Sequence, residues 1–214
     1  MLSYFFAYSW AERIAKNLPS DVKSKVKSER IDYVNLAQIN PYVPEAAISS
    51  QDERFYQNWG VDLEGTVRAV YFSLVSKTRQ GASTITEQLA KNIYYSDQDT
   101  PLTDIKTKIL ALYITNKFSK QSILEWYLNI IYFGKHSYGI GAASNAIFNK
   151  SPKDLSLGES AYLIGLTNLP GFYETHHSNA ILEAKVILGS MVRNGYISQV
   201  DADNSFVKLQ NEEK

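Results

Sequence analysis

Apolar residues recur at intervals of three and four along most of the chain, and no stretch sustains an alternation of period two. This pattern predicts a mainly α fold, with strands minor at most. Leu63 to Val75 carries Val67, Val70, Tyr71, Leu74 and Val75 at helical spacing. Ser76 to Ala82 reads as a polar loop, and Thr84 to Tyr95 as a helix with Ser83 as its N-cap. Asp97 to Pro101 is a loop; Leu102 to Phe118 then reads as a long helix with an apolar face of Ile105, Ile109, Leu110 and Leu112. Gln121 to Tyr132 follows, stopped by Phe133-Gly134, and Ile140 to Phe148 is small and alanine-rich. Leu157 to Leu169 reads as a buried helix ending at Pro170, and Ala180 to Asn194 and Ser198 to Leu209 close the chain. Nearer the start, Ala11 to Leu18 ends at Pro19, and Asp21 to Lys27 reads as a charged, solvated segment. Ile31 to Ile39 leads irregularly past Pro41 to Pro44, which opens a helix through Ala46, Ala47 and Ile48.

Leu2 to Ala11 is apolar and aromatic. A membrane-spanning helix needs roughly 20 apolar residues, about twice this run. The start lacks the basic residues and clear cleavage site of a secretory leader. Two readings stand: an amphipathic first helix that packs its aromatics on the body, or the stub of an N-terminal membrane anchor. Tyr4, Phe5, Phe6, Tyr8 and Trp10 suit a bilayer interface.

Composition narrows the chemistry. Among 214 residues, 44% are hydrophobic and 21% charged, the balance of a packed globular protein. Twenty-two basic and twenty-two acidic residues cancel, so nothing in the total favours a nucleic-acid backbone, and none is expected as a partner. The absence of cysteine excludes disulfides, a thiol nucleophile and a zinc-thiolate site. Three histidines make a histidine-rich metal site a poor reading, and His176-His177 reads as surface.

Three segments look less like core than like a site. Ser50 to Tyr56 crowds charge between an apolar helix and aromatics, with Gly60 just beyond. Gly81 to Asn92 (GASTITEQLAKN) takes a small-residue loop into a helix, whose first N–H groups can bind anionic oxygen. Glu87, Gln88, Lys91 and Asn92 lie on neighbouring positions there, a stripe able to hold a phosphate or sugar, or simply a solvated face. Trp126 to Gly134 is dense in aromatics and by itself reads as core.

In this order the segments resemble glycosyltransferase family 51, the peptidoglycan transglycosylase module of bifunctional penicillin-binding proteins and monofunctional glycosyltransferases. The family's E-D-x-x-F then H-H-G falls on Gln51-Asp52-Glu53-Arg54-Phe55 and Asn58-Trp59-Gly60. Its G-G-S-T-I-T-Q-Q-L-x-K-N is GASTITEQLAKN from Gly81, and its R-K-x-x-E falls on Thr103-Asp104-Ile105-Lys106-Thr107. The fourth motif is kept as ILEWYLNIIYFG from Ile123, and the fifth lies in Leu155 to Pro170 around Glu159, Ala161 and Gly165-Leu166. The similarity runs from about Tyr33 to Ile197.

The resemblance implies a lysozyme-like helical head with a small membrane-facing jaw, matched by Leu63 to Val75 and the loop after it, where Tyr71, Phe72, Leu74 and Val75 would touch lipid. It divides the chain into an N-terminal helix or anchor stub with linker (1–30), a glycosyltransferase 51-like domain (31–200) and a C-terminal tail (201–214). It implies lipid II or a nascent glycan strand as ligand, at the outer face of the bacterial cytoplasmic membrane, with the membrane surface and other cell-wall synthesis proteins as partners. No cofactor is required, although a divalent cation assists some members. In the family a first-motif carboxylate takes the proton of the acceptor 4-hydroxyl, pyrophosphate leaves toward basic residues, and the third-motif glutamate supports the site. A neutral hydroxyl needs a base within reach, and a departing pyrophosphate needs positive charge. Arg54, Ser83, Gln88, Lys91, Asn92 and Lys106 are the expected substrate-binding residues, Arg54 being often tied to a neighbouring carboxylate.

The catalytic positions depart from the pattern. The base glutamate is Gln51, which is not basic near neutral pH, with Asp52 beside it as a scaffold residue. The second glutamate is Thr107, and the preceding basic pair is Thr103 and Asp104. Glu87 replaces a glutamine one turn before Lys91, so a Glu87–Lys91 pair is expected. A single trapping substitution would not also change Thr103, Asp104 and Thr107. The expectation is a family member with weak or absent polymerase activity; the alternative is an active enzyme with a substitute base from Asp52, Glu53 or Glu87. A lysozyme-type hydrolase fits poorly, because it too needs an acid where Gln51 stands. The chain runs only a short way past Ile197, so no transpeptidase module is expected to follow.

Overall fold

The computed structural model describes residues 2–62, 83–96, 98 and 100–212. The expected helix at 63–75, its loop and the lipid-facing Tyr71, Phe72, Leu74 and Val75 lie outside them. The described residues are mostly helical, with a single isolated antiparallel bridge, Tyr132 to Tyr138. The fold is mainly α and lysozyme-like. None of the described helices is long and apolar enough to cross a membrane. The chain forms two compact units, Met1–Lys23 with Arg54–Tyr127, and Ser24–Glu53 with Leu128–Lys214.

In the first unit, α1 (Leu2–Ala15) packs on a long helix, α5 (Pro101–Lys117), which also packs on α4 (Ile85–Tyr94). Ala11 and Ala15 are fully buried, and Tyr8 meets the ring of Tyr113 edge-on at 5.3 Å and accepts from Asn116 Nδ2 at 3.2 Å. The charged segment expected at 21–27 belongs to a helix, α2 (Leu18–Ser28), with Leu18 and Val22 buried one turn apart. Pro19 thus sits in a first turn, where its missing N–H costs nothing, rather than ending a helix. Tyr94 donates to Asp21 Oδ2 at 2.7 Å. Burial pushes that phenol's pKa up, and the Asp21 contact pushes it further.

The buried face of α5 is the expected one only in part: Leu110 is fully buried. Ile105 and Leu112 are 58% and 43% exposed, while Thr103, Thr107, Leu110, Ala111 and Ile114 are buried. Tyr113 is buried on that face as well, so the buried face mixes large apolar residues with two threonines. The helix starts at a capping box, with Thr100 and Thr103 each accepting from the other's backbone N–H, and Pro101 at the first turn.

In the second unit, α10 (His177–Arg193) packs against α3 (Tyr42–Gln51), α8 (Leu157–Leu166) and α11 (Gln199–Glu212). All ten residues of α8 are buried. The helix stops at Leu166, short of the expected Leu169, and Pro170 opens a further turn, α9 (Pro170–Tyr173). Between α5 and α8 in sequence come α6 (Lys120–Ile130) and α7 (Gly139–Phe148). Asn129, fully buried, clamps the chain ahead of α3: its Oδ1 accepts from Val34 N and its Nδ2 donates to Val34 O, both at 2.8 Å.

Glu159 holds the start of α8. Its Oε2 accepts from Ser156 N and its Oε1 from Lys150 Nζ, both at 2.7 Å. Burial alone would raise its pKa, but Lys150 and the Ser156 groups overcome that and hold it below the ordinary value. A lowered native pKa adds stability above the unfolded carboxylate range, and that contribution disappears as pH falls through the native value. Glu159→Gln is expected to cost about 1–2 kcal/mol at pH 7, the worth of a charge-assisted hydrogen bond. Urea midpoints at pH 7 and pH 3 check this, with the gap to the unmodified chain narrowing at pH 3.

Candidate functional site

Gln51 is the last residue of α3, and Asp52 caps the helix end, its N–H donating to Ile48 O at 3.0 Å. Gln51 Nε2 donates to Asn168 Oδ1 at 2.8 Å. Asn168 Nδ2 donates in turn to Glu183 Oε1 at 2.8 Å, and Tyr173 donates to Glu183 Oε2 at 3.3 Å. Burial and then the Glu183 charge hold the Tyr173 phenol above its ordinary pKa. The relay has a direction: a carboxylate only accepts, so Asn168 must offer it the amide nitrogen. Its oxygen is left facing residue 51, where a donor is needed, and a carboxamide supplies one. Asp52 is 5% exposed, whereas Glu53 is exposed.

In the other unit, α4 begins at Thr84 rather than at the expected Ser83. Thr84 Oγ1 accepts from Glu87 N at 3.1 Å and donates to Gly60 O at 2.6 Å. Its backbone is extended, as an N-cap requires. Ser83 stays exposed and joins Glu87, Gln88 and Lys91 of α4 and Asp104, Thr107 and Lys108 of α5 around a cavity of about 100 Å³. Residues three and four apart on each helix share a face, which explains both triplets.

Glu87 is 2% exposed. Lys108, from the neighbouring helix, places its ammonium 3.0 Å from Glu87 Oε2. Gln88 Oε1 accepts from the Tyr127 hydroxyl at 3.2 Å. The Thr107 hydroxyl is buried in the cavity lining and has no hydrogen-bond partner among the described residues.

Of the expected substrate-binding residues, Ser83, Gln88 and Lys91 meet at this cavity, together with Thr107 from the catalytic pattern. Asn92 Nδ2 donates back along its own helix to Gln88 O at 2.8 Å. Lys106 lies over the Tyr95 ring, 5.8 Å from its centre. Arg54 forks onto Asp62, with Nη2 at 2.9 and 2.7 Å from the two carboxylate oxygens, which matches a positioning role within its own loop. Nothing in the sequence singles out Lys108, although its spacing from Asp104 places the two on one helix face. Among the described residues no group of three or more metal-ligating side chains forms. His176 and His177 are exposed, and the His176 ring stacks on Phe172 at 4.1 Å.

Fold and site together define a lysozyme-like helical protein whose described cavity is lined for hydrogen bonding. The chain belongs to the transglycosylase family: the family described as Transglycosylase matches residues 19–192. It is similar to penicillin-binding protein 1A of Escherichia coli, with 41% identity over 175 residues, covering 80% of this chain and 21% of that protein. Penicillin-binding protein 1A of Neisseria lactamica is 38% identical over 180 residues, covering 83% and 23%. Penicillin-binding protein 1F of Bacillus subtilis is 38% identical over 185 residues, covering 85% and 26%. The chain thus spans about a fifth to a quarter of the length of these relatives.

Proposed function

We propose that this protein binds lipid II or nascent glycan in cell-wall synthesis and does not polymerise it efficiently. It does so at the outer face of the cytoplasmic membrane, alongside other cell-wall synthesis proteins. The observation that carries this reading is the hydrogen bond from Gln51 Nε2 to Asn168. The position of the general base holds a group that donates a proton in a hydrogen bond and cannot remove one from a sugar hydroxyl. Loss of a general base costs on the order of 10²–10⁴ in rate. The position of the second glutamate adds to the deficit, because Thr107 carries no charge toward the reaction.

The substitute bases are poorly disposed. Asp52 is buried at a helix end, and Glu87 is buried and joined to an ammonium. Glu53 is exposed to solvent, whereas catalytic bases sit in clefts shielded from it.

The test is a polymerisation assay with labelled lipid II on the purified chain, with binding to lipid II in detergent micelles measured in parallel. The expected result is binding without glycan chains. Chains formed at the rate of an ordinary family member would overturn the impairment, and absence of any binding would overturn the ligand.

A further inference from the structure

We infer that the cavity between α4 and α5 receives an uncharged, hydroxyl-bearing face of a sugar and disfavours pyrophosphate. This rests on the proposed binding of lipid II or glycan and says which part of that ligand the cavity holds.

The described lining carries two lysines, Lys91 and Lys108, and two carboxylates, Glu87 and Asp104, so its formal charge is balanced. Glu87 matters most, being 2% exposed with one oxygen 3.0 Å from Lys108 Nζ. A pyrophosphate entering a cavity of about 100 Å³ would stand within a few ångströms of that carboxylate. Buried charges are screened far less than those in water, so the repulsion is felt strongly. The Lys108 ammonium that would attract the anion is also the one already engaged by Glu87.

A neutral ligand meets the opposite situation. Ser83, Thr107 and Gln88 offer two hydroxyls and a carboxamide, groups that both donate and accept. The Thr107 hydroxyl is the independent sign of a ligand. Thr107 is 4% exposed and lines the cavity, and its buried hydroxyl has no hydrogen-bond partner among the described residues. A buried hydroxyl left unmatched is costly, and a sugar hydroxyl beside it would supply the missing bond. Carboxylates are no obstacle here, because they accept from sugar hydroxyls.

The experiment titrates the purified chain with an uncharged oligosaccharide of N-acetylhexosamines, with inorganic pyrophosphate, and with lipid II. The oligosaccharide is expected to bind and to compete with lipid II, and pyrophosphate to do neither at millimolar concentration. Thr107→Val, which keeps the side chain's shape, should weaken oligosaccharide binding at least fivefold while the melting temperature stays level or rises. Glu87→Gln should strengthen pyrophosphate binding about tenfold, by releasing Lys108. Lipid II binding that pyrophosphate displaces and the oligosaccharide does not would overturn this inference and leave the proposed function standing. An unchanged oligosaccharide affinity in Thr107→Val would also overturn it. Failure of both lipid II and oligosaccharide to bind would overturn the two together.

Discussion

Gln51→Glu by itself is expected to leave lipid II unpolymerised, although it restores the residue that the family pattern places there. The reason lies in the relay beyond it. Asn168 gives its amide nitrogen to Glu183 at 2.8 Å and turns its oxygen to residue 51. A carboxylate introduced at position 51 would meet that oxygen as acceptor against acceptor. Turning Asn168 over would satisfy the new carboxylate only by presenting the same oxygen to Glu183. The relay can accept the substitution most readily when the introduced carboxyl keeps its proton and donates. A native pKa raised above the ordinary glutamate value, about 4.3, follows. A raised carboxyl pKa makes the variant more stable, relative to the unmodified chain, as pH falls; at pH 7 it should lose about 1–2 kcal/mol. Chemical denaturation at pH 5 and pH 7 measures this, and labelled lipid II measures turnover. Glu183→Gln in the same chain should recover the stability, because a carboxamide at 183 can donate to a reversed Asn168. Efficient glycan synthesis by Gln51→Glu alone would sink the argument. The Thr107 position stays uncharged in this variant, a second reason to expect little turnover.

Replacing Gly60 with alanine is expected to cost about 2–5 kcal/mol. Gly60 has φ of +97°, a conformation costing an ordinary L-residue roughly 1–2 kcal/mol. The new methyl would also collide with Ala111 O and lie 2.6 Å from Thr115 Oγ1. Thr115 can turn away, but Ala111 O belongs to the backbone of α5 and cannot move without the helix. Overpacking of this kind adds roughly 1–3 kcal/mol. Gly60 O also accepts from Thr84 Oγ1, so a displaced loop would disturb the cap of α4 and the cavity beside it. A fall in melting temperature of roughly 4–20 °C is expected for a chain of this size. Gly171→Ala is the control: among the described residues no atom beyond its chain neighbours lies within 4 Å of its added methyl, and a change within about 0.5 kcal/mol is expected. A Gly60→Ala melting curve that overlays the Gly171→Ala curve would show that the approach of the loop to α5 is not tight.

Helices announced themselves wherever their apolar spacing was regular and a cap or proline stood at the end, as with 85–94, 139–148 and 177–193. Period and capping are local properties, legible from neighbouring residues alone. The helix at 18–28 is hard to read from the sequence because its burial rests on Leu18 and Val22, and most of its remaining residues are polar. On α5 apolar spacing points to Leu110, which is buried, but also to Ile105 and Leu112, which are exposed while Thr103 and Thr107 are buried, so residue size alone does not give the face.

The same division runs through the site. Sequence alone determined which positions depart from the family pattern, because identity and order are written in the chain: Gln51, Glu87, Thr103, Asp104 and Thr107. Only tertiary structure decided what these residues do to one another. It set Asn168 and Glu183, more than a hundred positions on, behind Gln51, and it gave Glu87 an ammonium from the next helix. Hydrogen-bond direction and charge pairing depend on distances of about 3 Å, and such distances between remote positions exist only once the helices have packed.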